Sequence, residues 1–308
     1  MITQNIILGE GTKYPLKGML TLPDDCSKPV PGVVFVHGSG SSNMDEKVYK
    51  LTPFKDLAEG LAAKDIASLR YDKRSFAHGF KMVREGSITV KEETIEDAIA
   101  ASELLKRTPG VDPERIFIIG HSMGGTLAPR IDAEGGNFRG LILLAGSPRK
   151  MEDIMLYQVR EMIPLSGKLT RFILEKQLKT LEATFEGLYD LTDGAARAKK
   201  IGNGVTAYYF KEMGEHPVEG YLSQLTKPIL VMQGGKDFQV KADVDFAMYK
   251  ELLADHPDVT FRLYENLNHC FVPSVYGRID KAKQEYSVEQ HIGEDVIADI
   301  ADWIWENA

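Results

Sequence analysis

The chain has 308 residues, of which 43% are hydrophobic, and its formal net charge at pH 7 is −8. This apolar share is typical of soluble globular proteins and excludes a wholly disordered chain, while the acidic balance argues against nucleic acid as a partner, because phosphate binding favours a basic surface. No stretch reaches the roughly 20 apolar residues that span a bilayer, and two cysteines with no N-terminal signal pattern predict a cytoplasmic protein with reduced thiols and no membrane partner.

The predicted elements alternate between strands and helices along most of the chain. Two N-terminal strands, 5–8 and 16–22, flank a turn around Gly9 and Gly11, as in an antiparallel hairpin. Short apolar runs, typical of strands buried on both faces of a parallel sheet, recur at 33–36, 66–71, 115–119, 141–145, 229–232 and 260–264. Helical patterns lie between these runs at 54–64, 94–107, 124–133, 244–253 and 289–305. The alternation predicts an α/β fold with a doubly wound, mostly parallel sheet and an N-terminal antiparallel hairpin.

Residues 148–220 break this alternation, because apolar residues recur there at helical spacing without a convincing strand. We expect a helical cap insertion covering a site on a core made of residues 1–147 and 221–308. Most of its large apolar side chains should pack within the cap, and the rest should line an acyl or aromatic pocket. The candidates are Met151, Met155, Met162, Phe172, Phe185, Tyr208, Tyr209 and Phe210.

A glycine-flanked serine, Ser122 in Gly120-His121-Ser122-Met123-Gly124, follows the apolar run 116–119. A strand, a glycine-flanked serine and then a helix are typical of a nucleophile elbow, which exposes a serine hydroxyl above a sheet. Glycines are expected on both sides because the serine backbone is strained and neighbouring side chains would clash. The pattern makes Ser122 the candidate nucleophile.

A serine nucleophile needs a base and an orienting acid. His269 follows the last predicted strand, whereas the other six histidines lie in motif loops, polar connections or the final helix. Asp237 follows the run 229–232 and a Gly-Gly turn, and its alternative role is to cap the next helix, for which Asp243 and Asp245 are better placed. The chain order serine, aspartate, histidine is that of α/β-hydrolases.

An oxyanion hole needs two backbone N–H groups. The N–H of Met123, at the start of the elbow helix, is the first candidate. The second is the N–H of Ser39 in His37-Gly38-Ser39-Gly40, where glycines allow close approach to a substrate. The alternative interpretation of this loop is a plain glycine-rich turn.

Together these motifs resemble the α/β-hydrolase superfamily, in particular the cap-bearing bacterial carboxylesterases of the dienelactone-hydrolase and acyl-peptidase-related branch. The resemblance implies ester hydrolysis through an acyl-enzyme, with no metal or organic cofactor. One departure lies after Arg74, where relatives often carry glycines and this chain has Ser75 and Ala77, so the loop 72–80 is expected to have its own shape. The motifs that carry the resemblance are 37–40, 71–75, 120–125, 234–237 and 268–269.

Several alternatives stay open at this point. Thioesters and lactones compete with esters as substrates, peptide cleavage is disfavoured because relatives use an additional propeller domain, and a non-catalytic ligand-binding protein is a further alternative. Asp72 and Arg74 are interpreted as a loop-anchoring salt bridge before a substrate contact, and Cys270 as a packing residue before a reactive thiol. The expected partners are a small-molecule ester and, as a candidate, a second copy of the chain.

Overall fold

The computed structural model describes residues 1–86, 88–202 and 204–308. Ten strands lie in these ranges: β1 (Ile2–Leu8), β2 (Leu16–Leu22), β3 (Val30–Val36), β4 (Ala67–Tyr71), β5 (Val111–His121), β6 (Leu141–Leu144), β7 (Lys200–Gly202), β8 (Val205–Thr206), β9 (Ile229–Gly234) and β10 (Val259–Tyr264). Eight of them form one sheet in the order β1-β2-β4-β3-β5-β6-β9-β10, and β7 and β8 form a separate hairpin.

The α-helices of the described ranges connect and cover these strands. They are α1 (Pro53–Ala62), α2 (Arg74–Glu85), α3 (Glu96–Lys106), α4 (Met123–Ile131), α5 (Met151–Met162), α6 (Lys168–Phe185), α7 (Asp193–Ala198), α8 (Ala207–Gly214), α9 (Val218–Leu222), α10 (Ala247–Leu252), α11 (Ala282–Tyr286) and α12 (Glu294–Asn307). No described helix is both long and apolar enough to cross a membrane.

The predicted doubly wound α/β sheet with an N-terminal antiparallel hairpin is confirmed. Strand β1 pairs antiparallel with β2, and β2 pairs antiparallel with β4. From β4 onward the sheet is parallel, through β3, β5, β6 and β9 to β10. Each predicted apolar run became one of these strands. The inner strands β3, β4, β6 and β9 are buried along their whole length, as expected where helices cover both sides of a parallel sheet, whereas the edge strand β10 is partly exposed.

Alternating residues of the central strands point to opposite faces of the sheet. On β3, Val34 and Val36 pack in a cluster that includes apolar residues of α3 and α4. Val33 and Phe35 pack in the other cluster, with residues of α1 and α12. The two clusters place helices on both faces, so the carboxyl ends of the parallel strands stay open at one edge of the sheet.

One local prediction was wrong. The segment expected to be a loop, 72–80, lies mostly in helix α2, which carries the weak helix formers Ser75 and Gly79 and a non-helical backbone at His78. The apolar side chains of Phe76, Phe80 and Val83 recur along α2 at helical spacing, but they are 52%, 85% and 42% exposed and do not form a buried face. The helices expected in 148–220 are present as α5 to α9, and the structure adds the short hairpin of β7 and β8. Short polar strands of two or three residues have no usable sequence period.

The turn between β5 and α4 depends on two glycines. Ser122, between the strand and the helix, has φ 53° and ψ −119°, a region that non-glycine residues rarely occupy. A Cβ atom at Gly120 would lie 2.2 Å from the carbonyl oxygen of Gly124, and one at Gly124 would lie 2.2 Å from the carbonyl oxygen of Val36. The first turn of α4 therefore packs backbone to backbone against the ends of β3 and β5.

The loop after β3 begins with the buried residue His37. Its Nε2 lies 2.9 Å from the carbonyl oxygen of Asn43, so the neutral ring donates a hydrogen bond there. Burial lowers the pKa of His37 to about 4. The folded state thus favours the uncharged form of this histidine.

We expect Gly124→Ala to lower the free energy of unfolding by at least about 4 kcal/mol, because the added methyl group has no space and backbone cannot move aside cheaply. Urea unfolding monitored by circular dichroism measures this loss. Gly220→Ala is the matched control, because Gly220 has open space around its Cβ position in helix α9. A Gly124→Ala variant as stable as the wild type would contradict the packing described for this turn.

We expect the free energy of unfolding to fall as the pH drops from 7 to 4, with a contribution from His37 of about 3 kcal/mol. An unfolded histidine titrates near roughly 6.5, so between that pH and about 4 the unfolded state binds more protons than the folded state. Urea unfolding at several pH values measures the slope. His37→Gln, which keeps a donor for Asn43, should flatten the dependence; an unchanged slope would show that His37 is not its source.

Candidate active site

Three predicted site residues lie at the open carboxyl edge of the parallel sheet. Ser122 follows β5, Asp237 follows β9, and His269 follows β10. In open α/β sheets this edge is where ligands bind. The topology of the sheet therefore places these three residues, which are far apart in sequence, at the same edge.

The Asp237 and His269 side chains are in direct contact. His269 Nδ1 lies 2.6 Å from Asp237 Oδ2, and both side chains are almost fully buried. The other carboxylate oxygen, Oδ1, accepts from the backbone N–H groups of Gln239 and Val240 at 2.7 and 3.0 Å. One oxygen of Asp237 thus organises the turn after β9 and the other contacts the imidazole, and Asp237 does not cap the next helix.

Glycines at the end of β9 allow this contact. A Cβ atom at Gly234 would lie 2.5 Å from the carbonyl oxygen of Leu267, and one at Gly235 would lie 2.8 Å from the Glu265 backbone. The turn before Asp237 therefore packs directly against the backbone that leads to His269. This close packing explains why the sequence motif has glycine at both positions.

The His269 ring packs against the residue that precedes Ser122. The ring centroids of His121 and His269 are 4.7 Å apart, and His121 Nε2 lies 2.8 Å from the backbone oxygen of His269. Since Asp237 occupies Nδ1, the free nitrogen of His269 is Nε2. Among the described residues the Ser122 hydroxyl makes no hydrogen bond to His269, as is common when no substrate is bound.

The two predicted oxyanion donors both line the cavity that contains Ser122. Throughout the described ranges, neither the N–H of Ser39 nor that of Met123 donates to an acceptor within the protein. The N–H of Met123 is one of the free donors at the start of α4, where the helix dipole adds a partial positive charge. Both groups are therefore free to bind an oxygen of a bound molecule.

The cavity above Ser122 has a volume of about 700 Å³ and is mostly apolar. Helices α5, α6 and α8 and the β7–β8 hairpin contribute apolar side chains to its wall: Met151, Ile154, Met155, Leu181, Ile201, Val205, Tyr209, Phe210 and Met213. Of the pocket candidates from the sequence, Met151, Met155, Tyr209 and Phe210 line the cavity. The other four, Met162, Phe172, Phe185 and Tyr208, do not, and Phe172 is 60% exposed.

Sequence reasoning missed the charged residues of the cavity wall. Arg149 lines it, with Nε 2.7 Å from Asp245 Oδ1 and Nη2 2.8 Å from Asp245 Oδ2. Glu93 also lines it, accepts from the Tyr209 hydroxyl at 2.8 Å and lies 3.6 Å from the ammonium of Lys73. Each charge is thus neutralised by a protein partner, and no spacing in the sequence links those partners.

A buried polar network connects the three loops of the site. Glu46 Oε1 accepts from the N–H of Gly38 at 2.7 Å, and Glu46 Oε2 lies 2.9 Å from His121 Nδ1. Burial by itself would lower the pKa of His121, but the Glu46 carboxylate outweighs that effect and raises it. The hydrogen bond from His121 to the His269 carbonyl then ties the loops after β3, β5 and β10 together.

Two further residues differ in part from expectation. Asp72 and Arg74 do not pair with each other: Arg74 binds Asp97, with Nε 3.0 Å from Oδ2, and Asp72 accepts from the N–H of Met44. Arg74 thus anchors α2 to α3, and Asp72 anchors the loop after β3.

Cys270 is buried and burial raises its pKa, which keeps the thiol protonated and supports its interpretation as a packing residue. The described ranges contain no group of three His, Cys, Asp or Glu side chains arranged to hold a metal.

Comparisons with known proteins agree with this architecture. The esterase EstD of Thermotoga maritima is 32% identical over 289 residues, which cover 94% of this chain but only 65% of the length of that relative. Among solved structures, Est1E from Butyrivibrio proteoclasticus aligns over 98% of both chains with a TM-score of 0.59 at 14% identity. Dienelactone hydrolase from Anabaena variabilis aligns over 99% of this chain and 97% of its own, with a TM-score of 0.55 at 16% identity. These structural likenesses concern the fold.

A family profile gives the assignment. The profile Hydrolase_4, described as serine aminopeptidase, S33, matches residues 27–273, well over half of the chain. Together with the sheet order and the elbow after β5, the match confirms the resemblance stated from the motifs. The chain therefore belongs to the Hydrolase_4 (serine aminopeptidase, S33) family and has the α/β-hydrolase fold.

Proposed function

We propose that this chain is a serine hydrolase that cleaves carboxylic esters through an acyl-enzyme, with Ser122 as nucleophile, His269 as base and Asp237 as orienting acid. The observation that carries the proposal is the strained backbone of Ser122, with φ 53°, beside two unpaired N–H groups on an apolar cavity. A strained residue at a cavity wall is a feature of functional sites. The esterase named among its relatives supports the same chemistry.

In the proposed first half-reaction, Ser122 Oγ attacks the ester carbonyl carbon and its proton passes to His269 Nε2. The Asp237 carboxylate, 2.6 Å from Nδ1, favours the tautomer with a free Nε2 and stabilises the imidazolium. The N–H groups of Ser39 and Met123 bind the oxyanion of the tetrahedral intermediate. The carbon–oxygen bond to the alcohol then breaks, and the alcohol leaves with the proton from His269.

The second half-reaction repeats these steps with water. His269 takes a proton from water, the resulting hydroxide attacks the acyl-enzyme, and the same two N–H groups bind the oxyanion. Ser122 regains its proton from His269 as the acid is released. The balance is one ester and one water to one acid and one alcohol, and the step requires no co-reactant.

The apolar wall of the cavity above Ser122 favours a substrate with an uncharged acyl or aromatic group. Residues 148–220 supply most of that wall, and we propose that they act as a cap which shields the acyl group from bulk solvent while it admits the water that hydrolyses the acyl-enzyme. An aminopeptidase would need a free carboxylate to bind the substrate's ammonium group. Glu93, the acidic residue on the described wall, is already bound by Tyr209 and lies beside Lys73, so the cavity favours esters over peptides.

We expect Ser122→Ala to lower kcat for p-nitrophenyl esters by at least about 10⁴-fold, because the nucleophile is removed while the cavity is unchanged. Initial rates on a series from acetate to decanoate measure the effect, and the best chain length sizes the acyl part of the cavity. Circular dichroism verifies that the variant is folded. Retention of wild-type rates by the variant would refute Ser122 as nucleophile.

The same enzyme preparation discriminates the alternative substrates. Acyl-coenzyme A matched in chain length to the best ester tests thioester hydrolysis, and an aminoacyl p-nitroanilide tests peptide-type cleavage. We expect the oxygen ester to have the largest kcat/KM. A larger value for the anilide would replace the ester proposal by an aminopeptidase, and a larger value for the thioester by a thioesterase.

We expect Asp237→Asn to reduce kcat by about 10³- to 10⁴-fold, because an amide favours the wrong imidazole tautomer and cannot stabilise its charged form. Steady-state kinetics with the best p-nitrophenyl ester measure this loss. Asp243→Asn is the matched control, since Asp243 is an exposed aspartate on the segment that follows. Equal activity of the two variants would remove Asp237 from the proposed mechanism.

A further inference from the structure

Lys73 is a fully buried lysine that the proposed mechanism does not use. It lies between β4 and α2 and is only 1% exposed. Lysine is almost never buried unless it is paired. Its Nζ donates to the backbone oxygen of Gly38 at 2.9 Å and lies 3.6 Å from Glu93 Oε1. The ammonium group is therefore directed at the loop after β3.

The oxygen that Lys73 binds belongs to the same peptide unit as the N–H of Ser39. In a planar trans peptide the C=O and N–H groups point in opposite directions, and the described chain has no cis peptide. With the oxygen facing Lys73, the N–H of Ser39 must face away from it, and Ser39 lines the cavity with Ser122. The preceding peptide is held as well, because Glu46 accepts from the N–H of Gly38.

The surroundings of Lys73 act on its charge in opposite directions. Burial is the larger effect and lowers the pKa of Lys73, and the nearby carboxylates of Glu93 and Glu46 oppose it. Tyr209, in helix α8, donates to the second oxygen of Glu93 at 2.8 Å. A continuous chain of polar contacts therefore runs from the cavity wall of residues 148–220 through Glu93 and Lys73 to the peptide that carries the N–H of Ser39.

We propose that Lys73 is a positioning residue for the oxyanion hole: its ammonium group fixes and polarises the Gly38–Ser39 peptide so that the N–H of Ser39 meets the developing oxyanion. The proposal rests on the proposed ester hydrolysis at Ser122. A charge-assisted hydrogen bond to a carbonyl strengthens the N–H of the same peptide as a donor. Because this donor acts on charge that exists only in the transition state, Lys73 should affect kcat and leave substrate binding unchanged.

The test is Lys73→Met, which keeps the length of the side chain and removes the donor and the charge. We expect kcat for the best p-nitrophenyl ester to fall by about 10- to 100-fold, somewhat less than the loss of a whole oxyanion donor, with KM changed by less than about threefold. Two readouts do not depend on finding a good substrate. The rate of Ser122 labelling by a fluorophosphonate probe and the affinity for butylboronic acid should fall in parallel with kcat, because both place an oxygen in the oxyanion hole.

Two variants separate positioning from stability. Lys73→Met leaves the Glu93 carboxylate buried without a neighbouring cation, which could prevent folding. If the single variant does not fold, the double variant Lys73→Met/Glu93→Gln is used in its place, because it removes both charges together. Arg74→Met is the matched control: it breaks the buried contact of Arg74 with Asp97 on the neighbouring residue and touches nothing in the loop after β3. We expect Arg74→Met to lower the melting temperature and to keep kcat, labelling rate and boronate affinity.

The outcomes are distinguishable. Folded Lys73 variants with kcat, labelling rate and boronate affinity within twofold of the wild type would overturn the positioning role, as would a loss confined to KM or shared by Arg74→Met. Failure of the underlying function has another signature, namely a wild type that is not labelled at Ser122 or an unchanged rate in Ser122→Ala. A parallel loss of all three quantities in the Lys73 variants alone supports the inference.

Discussion

The backbone contact between the start of α4 and the ends of β3 and β5 is the constraint on which the site depends. At Gly120 and Gly124 the chains approach so closely that a Cβ atom would lie 2.2 Å from a carbonyl oxygen. This packing holds Ser122 at a positive φ, and Met123, the first residue of α4, lines the cavity beside it. The strain is maintained because the C-terminal part of β5, residues 116–121, is buried and lies between the paired strands β3 and β6. A loose or peripheral strand could not impose it.

Around this contact, buried charges tie the loops of the site to one another. An isolated buried charge is costly, so each needs a partner nearby. Glu46 meets this need with the N–H of Gly38 and with His121, and Lys73 meets it with the Gly38 oxygen and Glu93. These partners come from segments that are far apart in sequence. The loops after β3, β5 and β10 are consequently organised before any substrate arrives, which is what electrostatic stabilisation of a transition state requires.

The segment between β6 and β9 contributes a different kind of chemistry. Its apolar side chains face Ser122, while the charges near the cavity are satisfied internally, as in the pair of Arg149 with Asp245. The contact of Tyr209 with Glu93 joins this segment to the polar network of the core. The apolar cavity beside this polar network supports the proposed ester substrate, in which only the carbonyl group develops charge.

The amino-acid sequence by itself determined the sheet, the elbow and the candidate Ser122, Asp237 and His269, because those features have local signals: apolar runs, glycines at fixed offsets and strand-end positions. It also indicated Ser39 and Met123 as donors. Helix α2 was not predicted because its motif was interpreted as a loop and because Ser75 and Gly79 are weak helix formers. Which apolar residues of 148–220 line the cavity was not predictable, because helical spacing marks a face of a helix but not what covers that face. The roles of Glu46, Lys73, Glu93 and Arg149 were decided only by the tertiary structure. A charged side chain carries no local sign of its partner, and the energy of burying it depends on groups that the fold alone brings within hydrogen-bonding distance.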